Sequence, residues 1–423
     1  MHIHVVQRGE VLWQIANYYQ SNLDDIIEVN NITNPDLLLI GQSLLIPSGD
    51  TVYTVRTGDT MWQIAQNYGV PVQELLWENR IINPNQIYPG QIINIPGKQK
   101  PTIEVNAFTY ILGMDAVPIV EEVGEHLTYL TPFAYLVNED GSLEPIDDEP
   151  AIGAAISKGV VPMMSIVNFT YNLSGEVLAN IILNNTSTMS ILQDNIIEIM
   201  KEKGYRILNI DFEYIYPEDR EAYNRFLENT ANRLHEEGFF ISTSLAPKVS
   251  SDQRGLLYEA HDYEAHGRIA DFVILMTYEW GWRGGQPRSI SPINEIERVL
   301  DYAVTVIPRN KILMGFQIYA RDWRIPHIEG QEAETFSNQE AIELALRYGV
   351  PIQYDYLGQS PFYRYTDEEG NAHEVWFEDA RSAQAKFDTV KEYNLRGISY
   401  WGLGYPFPQN WALLEDNFNI QKY

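Results

Sequence analysis

Arg206-Ile207-Leu208-Asn209-Ile210-Asp211-Phe212-Glu213-Tyr214 is the stretch on which the fold turns. Asn209, Asp211 and Glu213 alternate with Leu208, Ile210 and Phe212, and side chains along a strand repeat with a period of two. One face is polar and the other apolar. Seven more strand-like runs surround it, at Ile103–Tyr110, Thr128–Tyr135, Val160–Val167, Phe239–Leu245, Ala270–Tyr278, Lys311–Gln317 and Arg396–Trp401, and amphipathic helical segments lie between them. Strand-then-helix steps of this number predict an α/β chain, a (β/α)8 barrel whose active site sits where the strands end. The apolar face of 206–214 then packs under helices, and Asn209, Asp211 and Glu213 point inward toward the mouth. Same-face neighbours lie roughly 6.5–7 Å apart along a strand. Two acids that close can share a proton, which raises one pKa and keeps Glu213 available as a general acid near neutrality.

The seventh-to-eighth strand spacing is about twice the others, so Asp322–Glu378 reads as a small α+β insertion walling one side of a cleft. Within it Phe362–Tyr365 and His373–Phe377 flank a Gly370 turn, as a hairpin would. Ahead of the barrel the chain repeats itself. His4–Pro47 aligns with Tyr53–Pro96 without a gap, sharing Gly9/Gly58, Trp13-Gln14-Ile15-Ala16/Trp62-Gln63-Ile64-Ala65, Asn34-Pro35/Asn83-Pro84 and Ile46-Pro47/Ile95-Pro96. Each unit reads as strand, helix, helix, strand, and Thr60 is a good N-cap. Pro47–Asp50 and Pro96–Pro101 are linkers by composition.

These repeats resemble lysin motifs (LysM), the small βααβ modules that bind N-acetylglucosamine-containing glycans. The resemblance implies a ligand between the loop opening the first helix and the loop before the last strand. Those loops hold Gly58, Asp59, Thr60 and Met61 with Ile87–Gly90 in the second unit. In the first they hold Gly9 and Leu12 with Leu37–Gly41. The first unit has Glu10-Val11 in place of Asp59-Thr60, which weakens its cap. The domain reading is 3–48 and 52–97 for the motifs and 101–423 for the barrel, with the insertion at about 322–378.

Composition closes off other classes. Fifty-eight acids against 29 Lys+Arg leave a net charge of −29, which disfavours nucleic acid and anionic membranes as partners. With no Cys there is no disulfide scaffold, zinc ribbon or thiol chemistry. The N-terminus has no basic and apolar leader, and no long apolar run suggests a membrane span. The eight His are scattered without metal spacing. Neither a Gly-x-Ser-x-Gly elbow nor a phosphate or dinucleotide loop is present, so no metal and no cofactor are implied.

Asn209, Asp211 and Glu213 resemble the end of the fourth-strand Asp-x-x-Asp-x-Asp-x-Glu of glycoside hydrolase family 18, the chitinase-like barrels, with Arg206 and Asn209 replacing the two outer acids. The resemblance implies that Glu213 protonates the glycosidic oxygen. It makes Asp211 the residue that orients the substrate's N-acetyl group, whose carbonyl attacks the anomeric carbon. Leu275-Met276-Thr277-Tyr278-Glu279 is similar to the sixth-strand Met-x-Tyr-Asp, making Tyr278 a partner of the acetamido carbonyl and Met276 and Glu279 sugar contacts. Gly315–Arg321 is similar to the seventh-strand motif and adds Gln317 and Tyr319. Trp401 ends the eighth strand as the floor under the reacting sugar. Tyr214, Tyr135 and Asn168, at other strand ends, complete the candidate substrate-binding set.

Lysin motifs fused to this barrel, with Trp376–Ser382, resemble the spore cortex-lytic N-acetylglucosaminidases of endospore-forming bacteria. That implies hydrolysis of the β-1,4 bond after N-acetylglucosamine in peptidoglycan during germination. The enzyme is then expected to be a monomer, made in the mother cell without a signal peptide and laid on the spore. A chitinase or vegetative-wall hydrolase is the first alternative. An inactive glycan-binding coat protein is the second, and the retained Asp211–Glu213 pair speaks against it.

Overall fold

The computed structural model describes residues 1–47, 52–97, 100–170 and 172–423; the central residues of both linkers, 48–51 and 98–99, lie outside the described residues. The barrel strands are β1 (Thr102–Thr109), β2 (Tyr129–Pro132), β3 (Val161–Val167), β4 (Ile207–Asp211), β5 (Phe240–Leu245), β6 (Phe272–Leu275), β7 (Ile312–Gln317) and β8 (Gly397–Leu403). All pair in parallel, and β8 closes on β1 with Gly397 opposite Glu104. A Cβ at Gly397 would stand 1.8 Å from the Glu104 carbonyl oxygen, so this closure demands glycine.

Alternation along β4 sorts as the strand period requires. Leu208, Ile210 and Phe212 pack beneath Leu192 and Ile196 of helix Thr186–Lys203 and Phe226 of helix Arg220–Glu236. Each such burial contributes about 1.5–3 kcal/mol. Helix Thr186–Lys203 starts where Asn185 accepts the Ser187 and Thr188 N–H groups, and it stops at Gly204 with φ +81°. Inward-facing Phe108, Tyr129, Met163, Ile207, Phe272, Ile274 and Leu313 form an interior cluster, with Phe108 reaching Trp401 at 5.6 Å between ring centres. A polar group shares the interior, in which Asn209 accepts from Ser242 at 2.9 Å and donates to Ser244 at 3.1 Å.

The insertion starts at Tyr319, slightly earlier than the sequence suggested. Strands Tyr319–Ile325, Glu334–Ser337, Gln353–Asp355, Ser360–Thr366 and Ala372–Trp376 form a five-stranded antiparallel sheet beside helix Asn338–Tyr348. The expected hairpin is present, pairing Phe362 with Trp376. Its Tyr319, Trp323 and Trp376 pack on the Trp401 side of the mouth.

Both repeats adopt the expected order. The first has helices Leu12–Tyr19 and Leu23–Val29 between strands His2–Val5 and Ser43–Ile46. The second has Met61–Tyr68 and Val72–Glu78 between Val52–Thr54 and Ile92–Asn94. Thr60 caps its helix through the Gln63 N–H at 3.2 Å, whereas Val11 caps nothing. The first motif is joined to the catalytic body. Leu45 enters the barrel's outer core and Leu39 the insertion's. Gln409 donates to Asn30 at 2.7 Å, Arg381 to the Gly41 carbonyl at 3.1 Å, and the Ile352 N–H to the Ile40 carbonyl at 3.0 Å. The Trp376–Ser382 stretch serves this junction: Asp379 caps helix Ala380–Glu392, and buried Glu378 pairs with Lys386 at 2.8 Å.

Candidate active site

At the carboxyl ends of the strands opens a cavity of about 330 Å³. Its walls include Asp211, Glu213, Met276, Tyr278, Glu279 and Trp401, all expected from sequence. The Trp401 indole stacks on Tyr278, with ring centres 6.5 Å apart and planes 10° from parallel, and it is braced edge-on by Phe133 at 4.7 Å. An apolar plate thus faces the acids, as a sugar ring requires. Gly315 makes room for Tyr278, because a Cβ there would meet that ring at 2.8 Å.

Burial dominates the electrostatics. Loss of water pushes the Asp211 carboxyl up to about 7, with the Ser244 hydroxyl pulling the other way. Its Oδ1 is buried without a hydrogen-bond partner. Desolvation, and then the charges of Asp211 and Glu279, push Glu213 up to about 8. Tyr278 is driven well above an ordinary phenol by burial and the same three acids, so it is a donor throughout the working range. Glu279 differs. Tyr319 donates to one of its oxygens, and Arg321 holds the other at 2.8 Å. Of the three wall acids, two are raised toward neutrality and one is tied to a cation.

Other expected site residues stand outside the cavity wall. Tyr319 acts through Glu279. Gln317 is fully buried and donates to Glu378 at 2.8 Å. Tyr135 turns away from the mouth, and its hydroxyl donates to Asp148 at 2.5 Å in a buried cluster with Tyr205. The strand Tyr129–Pro132 ends before Tyr135, which opens a separate short strand, Tyr135–Leu136, so the alternation that turns Phe133 to the mouth does not carry through to Tyr135. Asn168 is buried and bonded to the backbone of Glu213. Tyr214, with φ +53°, is 43% exposed. Asp355, another acid of the insertion, is spent on the Leu357 and Gly358 N–H groups of a turn.

Sequence reasoning did not assign Phe169, Pro247, Leu257, Tyr258 and Trp280, which also line the cavity. All lie in loops after strands, where no periodicity marks them; Trp280 alone carried a signal, directly following Glu279.

In the lysin motifs, Asp59 accepts the Arg56 N–H and the Tyr53 hydroxyl, both at 2.7 Å, and so shapes the expected binding loop. Gly9 and Gly58 turn with φ +87° and +96°. Leu12 and Met61 are core side chains, so their loops would offer a glycan backbone groups, and Ile87 is half-buried. The Gly41 loop of the first motif lies against the insertion, whereas the space around Gly90 of the second is open.

A proton-holding acid pair at the open end of a parallel barrel, facing an aromatic floor, is the equipment of glycoside hydrolysis. Residues 160–405 match the family model for glycosyl hydrolases family 18, and 4–47 and 53–96 match the LysM domain. The chain belongs to glycosyl hydrolases family 18 and is a glycoside hydrolase carrying two LysM domains. It is 50% identical to the cortical fragment-lytic enzyme of Bacillus subtilis (strain 168), over 100% of this chain and 99% of that protein. The enzyme of the same description from Bacillus anthracis is 45% identical over 99% and 98%. Among solved structures, the Bacillus megaterium QM B1551 spore cortex-lytic enzyme SleL superposes with a TM-score of 0.90 at 42% identity, covering 100% of this chain and 99% of that one.

Proposed function

We propose that this hydrolase cleaves the β-1,4 bond after N-acetylglucosamine in spore cortex peptidoglycan, by retaining, substrate-assisted catalysis. The observation that carries the reading is the division among the three acids of the cavity wall. Asp211 and Glu213 approach the sugar from one strand end and one side, and Glu279 is committed to Arg321 and Tyr319. That leaves no free carboxylate placed as a nucleophile across the ring, and this family is a known exception to the two-carboxylate scheme.

Glu213 gives its proton to the glycosidic oxygen as the bond to the anomeric carbon breaks. The acetamido carbonyl oxygen of the same sugar forms the new bond to that carbon, making an oxazolinium ion. Asp211 accepts from the acetamide N–H, Tyr278 donates to its carbonyl oxygen, and Trp401 supports the ring. Glu213, now ionised, takes a proton from water as the water opens the ring, and the product keeps its configuration. The lysin motifs hold the barrel to an insoluble polymer, raising its local concentration without entering the chemistry. The cortex assignment and the spore location draw on the full-length relatives named above; the monomeric state is part of the same proposal.

The test is digestion of purified cortex, borohydride reduction and mass spectrometry of the released muropeptides. Reduced N-acetylglucosamine at the new ends is expected. Reduced muramic ends, or digestion of chitin but not cortex, would refute the assignment.

A further inference from the structure

Glu213 lies two residues beyond Asp211, where β4 ends, and the following residue has φ +53°. Strand pairing therefore does not hold the peptide that carries the acid. Asn168 does. It directly follows β3, whose Val167 is the ladder partner of Asp211. Its Oδ1 accepts the Glu213 N–H at 2.8 Å, and its Nδ2 donates to the Glu213 carbonyl at 2.7 Å and to the Gly175 carbonyl at 3.0 Å. The side-chain amide continues the β3–β4 ladder by one step after the backbones part. The preceding carbonyl is held from the other side. His261 Nδ1 accepts the Ala246 N–H at 2.8 Å, which leaves Nε2 to donate to the Phe212 carbonyl at 2.9 Å. Burial holds this ring neutral, so the arrangement has one tautomer. With Phe212 fixed by His261, the rotation left to the Glu213 peptide is the one Asn168 removes.

Asn168 is fully buried, and none of the cavity wall is its own. Both of its amide atoms are spent on backbone. We propose that Asn168 is a positioning residue for Glu213, aiming the acid at the glycosidic oxygen through the acid's own backbone without touching the sugar. The proposal rests on reading Glu213 as the general acid. Misplacement of a catalytic group by an ångström can cost about 10²-fold, and that cost falls on the steps in which Glu213 moves a proton, of which departure of a group that needs no proton is not one.

The experiment compares Asn168→Ala, Asn168→Asp and Gly175→Ala with wild type on two substrates. One is an N-acetylglucosamine-containing oligosaccharide, whose leaving group needs a proton. The other is the matching dinitrophenyl glycoside, whose leaving group does not. Asp keeps the acceptor and loses the donor. A Cβ at Gly175 would stand 3.2 Å from Asn168 Nδ2, nudging the clamp without altering it. The expected result for both Asn168 variants is a kcat on the oligosaccharide lower by about 10-fold or more, KM within about two-fold, and less than about three-fold loss in the first-turnover release of dinitrophenol from the dinitrophenyl glycoside. Gly175→Ala should show the same pattern, more weakly.

A raised KM with kcat retained would make Asn168 a sugar contact and overturn the proposal. Equal losses on both substrates, or failure of both Asn168 variants to fold, would make the clamp purely structural. Glu213→Gln, run alongside, separates the two readings. Loss there with none in Asn168→Ala refutes only the clamp, and no loss there refutes the acid assignment itself.

Discussion

Glu213→Gln keeps the shape of the side chain and removes the proton donor. A positioned general acid is worth about 10²–10⁴ in rate, or about 2.7–5.5 kcal/mol of barrier. The structure favours the upper part of that range, because burial and two neighbouring acids keep Glu213 protonated up to about 8. Nearly every wild-type molecule at neutral pH thus carries the proton that the variant lacks. Glycan binding should persist, since Trp401, Tyr278 and Glu279 are untouched. The same carboxyl has a stability signature of known sign. Its folded pKa lies above the ordinary 4.5, so below that value both states hold the proton and the group costs nothing. As pH rises the unfolded chain ionises first, and the folded state loses stability until the upper value is passed. Glu213→Gln is therefore expected to raise Tm relative to wild type at about pH 9 and to match it near about pH 4. Initial rates from new reducing ends and calorimetry at both pH values check the two halves. More than about a tenth of the wild-type rate remaining, or a Tm difference independent of pH, would refute the reasoning.

Asp59→Ala frees the loop of the second lysin motif; digestion of insoluble sacculi should fall while that of short soluble fragments holds, measured side by side. Gly41→Ala would drive a Cβ to 1.9 Å from the Ile352 carbonyl oxygen, whereas Gly90→Ala, at a similar positive φ, meets open space. The second should cost about 1–2 kcal/mol of backbone strain and the first more, as the first motif is forced off the insertion; calorimetry of both variants reads the difference. A thiazoline mimic of N-acetylglucosamine should inhibit, and de-N-acetylated substrate should resist cleavage. An inverted product seen by NMR would contradict acetamide attack.

The barrel was legible because strand-like, largely apolar stretches of the right length recur between amphipathic helical segments, and the pairing of Asp211 and Glu213 on one face because alternation on one strand is itself a geometric statement. The repeats were legible from self-alignment alone. Tyr135 shows the limit. The period of two would put it on the face of Phe133, but the strand breaks after Pro132 and restarts at Tyr135, which turns the ring under the helices, where Asp148 takes the hydroxyl. Asn168 was expected as a substrate contact at a strand end, whereas the structure commits its amide to the backbone of Glu213 and Gly175, and no single-strand pattern says that an amide will grip the backbone of a neighbour. Nor could sequence show the first motif docked on the barrel. Leu39 and Leu45 read as ordinary strand and loop apolar residues until their partners in the insertion and barrel are placed.

Arg206 and Asn209, the two departures from the family's acidic strand, have different physical contexts. Arg206 sits at the opposite end of β4, lining a separate concavity with Arg396 and Phe272, too far along the strand to tune the acids. Asn209 lies directly beneath Asp211 on the same face, in a layer where its amide is satisfied by Ser242 and Ser244. A carboxylate at that position would add a third buried negative charge with only hydroxyls to meet it, and burial of an unpaired charge is costly. The neutral amide leaves Asp211 raised by desolvation against the pull of the Ser244 hydroxyl, with one oxygen unpartnered and no acid below to share its proton. An oxygen in that state gains most from a donor that arrives with the ligand. In the proposed reaction the acetamide N–H of a bound N-acetyl sugar would be such a donor, and the amide at 209 would then make Asp211 more dependent on the substrate's own N-acetyl group.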